Sequence, residues 1–150
     1  MGFSPWGLAV SVAVLAPNLL LVWFPPRQPL PRVSVPWPIG VAERAGQALC
    51  LVVPAVTDPG AMRWGWGAVV AASVAGYWML WGRYLVTGRR AHALYAPVWR
   101  VPVPMALLPV VAFLATGLWL DDLWVVVAAM VLAAGHIPVA VLTARTWDRA

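Results

Sequence analysis

Five apolar runs, each about 20 residues long and closed by a turn or a charged break, dominate this chain and leave little choice of fold. They extend over about Trp6 to Phe24, Pro38 to Val56, Trp64 to Val86, Pro102 to Leu120 and Asp122 to Thr143. Each approaches the roughly 20 residues that cross about 30 Å of hydrocarbon at 1.5 Å per residue. Hydrophobic residues make up 63% of the 150 positions and charged residues only 10%, which excludes an ordinary water-soluble domain. The expected fold is therefore all-α: a polytopic membrane protein, one transmembrane domain of five helices spanning positions 1–150, multi-pass in the inner (plasma) membrane. The first run has no basic flank and no small-residue cleavage pattern, so it reads as a helix rather than a removed signal peptide.

All ten basic Lys/Arg positions are Arg, and where they fall gives an orientation. With the N-terminus outside, the cytoplasmic side receives Arg27, Arg32, Arg83, Arg89, Arg90, Arg100, Arg145 and Arg149. The outer side receives Arg63 together with Asp58, Asp121 and Asp122. That asymmetry predicts N-out/C-in. The same dispersal explains a pI near 10.7 without nucleic acid as a partner. Arg44 is expected to snorkel to the headgroups, and Asp121-Asp122 to cap the start of the fifth helix. Cys50 is the single cysteine, so no intramolecular disulfide can form.

Of the eleven tryptophans, nine fall near the expected membrane boundaries, as interfacial belts require. Trp78 and Trp81 are the exceptions, inside the third span. At helical spacing Trp66, Val70, Ser73, Tyr77, Trp81 and Tyr84 share one face. Counted from the cytoplasmic end of each span, Glu43 is about 7.5 Å deep, Asn18 about 9 Å, His136 about 10.5 Å and Gln47 about 13.5 Å, with Tyr77 and Trp81 in the same layer. The polar groups converge in one slab, while the opposite half is almost wholly Val, Ala, Leu and Gly. Lipid offers such groups no partner, so a cavity opening toward the cytoplasmic leaflet is expected. Helix-to-helix hydrogen bonding is the alternative role for Asn18 and Gln47, and satisfaction of backbone freed by Pro138 is the alternative for His136. Gly40, Gly46, Gly76 and Gly135 would permit close helix contacts within one chain or between copies of an oligomer.

Glu43 carries the chemistry in this reading. An ionisable group inside a bilayer costs at least about 2.5 to 3.5 kcal/mol and is usually retained for a task. In an apolar pocket the neutral acid is favoured over the carboxylate, which makes Glu43 a general acid. Aromatic faces stabilise a nearby cation. Together these parts suit carbocation chemistry on a lipophilic prenylated molecule. Glu43 would protonate an alkene or epoxide, Tyr77, Trp78, Trp81 and Tyr84 would hold the cation, and His136, or a water on Asn18 or Gln47, would take the final proton. No metal, nucleotide-loop or hydrolase-elbow motif is present, and no cofactor is expected.

Pro17-Asn18-Leu19, Phe24-Pro25-Pro26, Glu43-Arg44-Ala45-Gly46-Gln47, Pro102-Val103-Pro104-Met105 and Gly135-His136-Ile137-Pro138 give the chain a resemblance to the small bacterial integral-membrane terpene cyclases associated with indole-terpenoid pathways. That resemblance implies metal-independent, acid-initiated cyclisation of a farnesyl-type group, with Glu43 as the acid. A second resemblance, carried by Pro36-Trp37-Pro38 and the five-helix length, is to the tryptophan-rich sensory proteins (TspO family). It implies binding of a porphyrin or sterol-like ligand without turnover. A small transporter is the third possibility, which the lack of an inverted repeat disfavours.

Overall fold

The computed structural model describes residues 2–31 and 33–147; Arg32 and Arg149, two of the arginines behind the expected orientation, lie outside them. The described residues form five helical rods and no strand, apart from an isolated bridge between Val98 and Val101. The first rod is α1 (Pro5–Leu15), a 3-10 turn (Ala16–Leu19) and α2 (Leu20–Trp23). The others are α3 (Trp37–Val52), extended by a 3-10 turn to Ala55, α4 (Trp64–Val86), α5 (Pro104–Trp119) and α6 (Leu123–Trp147). By length and composition, Pro5–Trp23 and Leu123–Trp147 qualify to cross a membrane, and Pro104–Trp119 is apolar but shorter. In α3 the residues Glu43, Arg44 and Gln47 lower the hydropathy, and in α4 the Trp, Tyr and Gly residues do.

Two of the expected helices differ in a way that proline explains. Pro17 has no N–H for the Ala13 carbonyl, and the first rod tightens into its 3-10 turn there. Pro54 does the same to the Cys50 carbonyl at the end of α3. Both freed carbonyls find a side chain. Trp78 Nε1 donates to Ala13 O at 2.9 Å, and the buried Ser11 hydroxyl donates to Cys50 O at 2.9 Å. The last helix runs to Trp147 rather than stopping at Thr143.

The rods alternate in direction. At one end the Ser4 N–H meets Ala55 O (3.0 Å), Gly60 N–H meets Leu120 O (2.8 Å) and Arg63 N–H meets Trp119 O (2.9 Å). Trp6, Trp64 and Trp119 pack on one another there, with ring centroids 5.4 to 5.8 Å apart. Asp122 caps α6 as expected, accepting the Val125 N–H at 3.0 Å, and also takes the Thr57 hydroxyl. At the opposite end, where Arg83 and Arg145 sit in last helical turns, Arg27 N–H bonds Arg89 O at 3.1 Å. There α4 stops because Gly88 takes a left-handed conformation (φ 81°) and turns the chain.

The closest helix pair is α3 on α6. Gly46 lies against the Leu132 backbone and Gly135 against the Glu43 backbone, with no room for a methyl group at either glycine. Gly76 packs less tightly, against Leu108, and Gly40 faces open space. By contrast, α1 touches α3 at one end only. Gly7 abuts the Pro54 carbonyl and Ser11 bonds Cys50, after which the two helices part toward the arginine-rich end.

Candidate functional site

The parting of α1 and α3 opens a lateral cleft of about 490 Å³. Leu15 and Asn18 from the first rod and Arg44, Gln47 and Ala48 from α3 form its exposed mouth. Tyr77, Phe113, Leu132 and His136 form its floor. A second, smaller chamber of about 110 Å³ adjoins it, with Trp81, Leu94, Tyr95, Val103 and Ala140 in its lining. Asn18, Tyr77 and His136 line both spaces and therefore stand at the junction.

His136 is held there by a hydrogen-bonding contact with Glu43. Its Nδ1 lies 2.9 Å from Glu43 Oε1, with the side chains 28% and 21% exposed. The pairing follows from the close helix contact. Gly135 lets the α3 backbone settle at Glu43, so the carboxyl group meets the next residue of α6. With Nδ1 engaged, Nε2 is left for the cavities that the ring lines. Glu43 itself stands behind His136 and lines neither cavity. This corrects the expectation that Glu43 faces the hollow directly.

The aromatic ladder of α4 is present, with Tyr77, Trp81 and Tyr84 all buried. Their rings meet edge to face at 6.3 and 5.6 Å. The members do different things. The Tyr77 hydroxyl donates to Asn18 Oδ1 at 3.0 Å, and Asn18 Nδ2 donates back to Val14 O at 2.9 Å, which fixes the junction. Trp81 lines the small chamber, and its buried Nε1 sits beside Tyr77 without a well-formed hydrogen bond. Tyr84 lines neither space. It is fully buried and donates to Phe24 O at 2.8 Å, anchoring the end of α2.

Trp78 also departs from expectation. Its indole N–H serves the Ala13 carbonyl, and its ring lies in an outward groove with Phe3, Leu8 and Val12, away from the cleft. Of the expected site residues, then, Asn18, Gln47, Tyr77, Trp81 and His136 line the connected cavities, Glu43 reaches them through His136, and Trp78 and Tyr84 do not.

Arg44 lines the cleft mouth, where snorkelling alone had been expected. Tyr95, also absent from the sequence-based set, follows α4 in the connecting segment, beyond the helical periodicity that singled out Tyr77 and Trp81. Burial, with the nearby Glu43 charge as a smaller cause, raises its phenol above the ordinary tyrosine range. Phe113 was not picked out either, although it lies one helical turn after Pro109, which also lines the cleft. Among the described residues no group of three His, Cys, Asp or Glu side chains is placed to hold a metal ion. No protein-family model matches this chain, and no curated protein or solved structure matches it.

Proposed function

We propose that the chain is a five-span, N-out/C-in membrane bundle that admits a lipophilic prenylated molecule through the cleft and cyclises it by proton transfer from the Glu43–His136 pair. The observation that carries this reading is the 2.9 Å contact between His136 Nδ1 and Glu43 Oε1 at the junction of a largely apolar cleft and a smaller space lined by aromatic rings. The pair holds two exchangeable protons, one shared between Nδ1 and Oε1 and one on Nε2. When Nε2 gives its proton to the substrate, the shared proton stays on Nδ1 and Glu43 is left as carboxylate. His136 is the catalytic residue and Glu43 acts through it.

The small chamber suits the reacting end of the chain. Tyr77, Trp81 and Tyr95 surround it, and aromatic faces stabilise a cation by about 2 kcal/mol or more when dry. An epoxide is the better substrate than a plain alkene, because its oxygen is a basic acceptor that takes the Nε2 proton directly. Protonation of that oxygen breaks one C–O bond, an internal alkene attacks the cationic carbon to form the ring C–C bond, and the resulting carbocation returns a proton to Nε2. The product is an isomer of the substrate. Lateral access from the bilayer delivers the substrate without a soluble carrier.

Incubation of the detergent-solubilised protein with farnesyl-type epoxides and their parent alkenes tests the reading by mass spectrometry and NMR of the products. Cyclic isomers are expected, faster from the epoxides. His136→Phe and Glu43→Gln should each lower the rate by about 100-fold or more, the usual range for removing acid–base catalysis. Glu43→Asp should recover part of it and shift the pH profile. Absence of cyclic product, or full activity in Glu43→Gln, overturns the proposal. Saturable quenching of Trp fluorescence by a porphyrin or sterol in the absence of turnover would favour the binding protein instead.

A further inference from the structure

Arg44 is the charge that the proposed reaction leaves unused. It stands seven residues into α3, about 10 Å along the helix from Trp37. Its side chain lines the cleft mouth together with Gln47, three residues on and so on the same helical face. Among the described residues it has no carboxylate partner, since the adjacent Glu43 is turned to His136 and Asp121 to Arg63. The rest of the cleft lining is largely apolar, from Val14, Leu15, Leu51, Phe113 and Leu132. An exposed guanidinium at the rim of an apolar cleft, with no carboxylate partner among the described residues, can take an acid brought in by a ligand. Its planar fork presents paired donors to a carboxylate or phosphate, and the Gln47 amide adds another.

We infer that the cleft recognises an amphiphile bearing one acidic group, a carboxylate or a phosphate, which binds Arg44 and Gln47 at the mouth while its apolar chain fills the cleft behind. This inference rests on the membrane-bundle reading and narrows the substrate class of the proposed cyclase. It also constrains the bound shape. Arg44 follows Glu43 in sequence, and Glu43 touches His136, so the acidic head and the reacting end lie at one level of the bundle. A chain held at both points bends back on itself within the cleft, as ring closure requires.

Equilibrium binding of farnesoic acid, its methyl ester, farnesyl monophosphate and farnesol to the protein in neutral detergent provides the test, read as affinity so that turnover is not needed. The acid and the monophosphate should bind at least about tenfold more tightly than ester and alcohol, the equivalent of about 1.4 kcal/mol. Arg44→Gln should bring the acid and the monophosphate down to the affinity of the ester, and Arg44→Lys should keep part of the preference, which separates charge recognition from misfolding. Equal affinities for acid and ester, or a preference that survives Arg44→Gln, overturns the inference. Repeating the titration in phosphatidylglycerol and phosphatidylcholine nanodiscs distinguishes the two sources of an acidic group. Displacement of farnesoic acid by phosphatidylglycerol in the wild type but not in Arg44→Gln assigns the site to a bilayer lipid and overturns its role in substrate recognition. Arg44-dependent binding without cyclic product keeps the inference and removes the proposed reaction. Cyclisation that is indifferent to Arg44 does the reverse.

Discussion

The side chains of this bundle divide between those that complete the backbone and those that face the cavity, and residue type alone does not sort them. Trp78 and Trp81 are three positions apart on α4, yet one clasps the Ala13 carbonyl from outside while the other lines the inner chamber. The cause is Pro17, four residues beyond Ala13, which removes the only helical donor that carbonyl would have had. In an apolar setting an unpaired carbonyl is expensive, so the indole N–H does structural work there. Trp78→Phe keeps the ring and deletes the donor. It should lower stability in detergent by about 0.5 to 1.5 kcal/mol, the net worth of one hydrogen bond at an exposed position, and leave ligand affinity unchanged. Thermal unfolding compared with the farnesoic acid titration checks both halves; a stable variant with weakened binding would restore Trp78 to the site.

At the scale of elements, the bundle depends on how closely α3 and α6 approach. A methyl group at Gly135 would overlap the Glu43 backbone, whereas one at Gly40 on α3 meets nothing. Gly135→Ala should therefore cost about 1 to 3 kcal/mol or more and separate His136 from Glu43, while Gly40→Ala should be neutral or slightly stabilising. Denaturation in mixed micelles measures the difference, and equal effects of the two changes would mean that the helices do not meet at Gly135. Much of this level is legible in the sequence. The third run, Trp64 to Val86, coincides with α4, and of the face expected there Val70, Ser73, Tyr77, Trp81 and Tyr84 are buried while Trp66, at its first turn, is exposed, because a 3.6-residue period encodes orientation locally but not where the packing partner ends. The polar layer is legible too, since depth follows from counting residues. What counting cannot give is rotation between helices. Glu43 and His136 are 93 residues apart, and only the seating of Gly135 on α3 turns them toward each other and sets Glu43 behind the imidazole. The 3-10 turn at Pro17 falls in the same category, as proline marks a break without saying which distant group will satisfy it.

For the whole molecule, alternating rods place two chemically distinct ends on opposite sides. One carries the Trp6–Trp64–Trp119 cluster and the Arg63–Asp121 pair, the other the arginine-bearing turns and Trp99, which is 98% exposed. This arrangement is directly testable, because Arg63 and Trp99 flank opposite ends of α4 and must face opposite compartments if the bundle crosses the bilayer. The chain supplies its own silent background, since its single cysteine, Cys50, is only 2% exposed. Arg63→Cys removes an exposed ion pair of little energetic consequence, and Trp99→Cys alters a side chain with almost no contacts. With a membrane-impermeant maleimide, Arg63→Cys should label in intact spheroplasts. Trp99→Cys should label only in inverted vesicles, and the unaltered protein in neither. Such a pattern fixes N-out/C-in and puts the cleft mouth in the cytoplasmic half of the bilayer, where Arg44 meets an acidic head arriving from that leaflet. Labelling of both positions from one side would remove the five-span orientation, and with it the route by which a lipophilic substrate reaches His136.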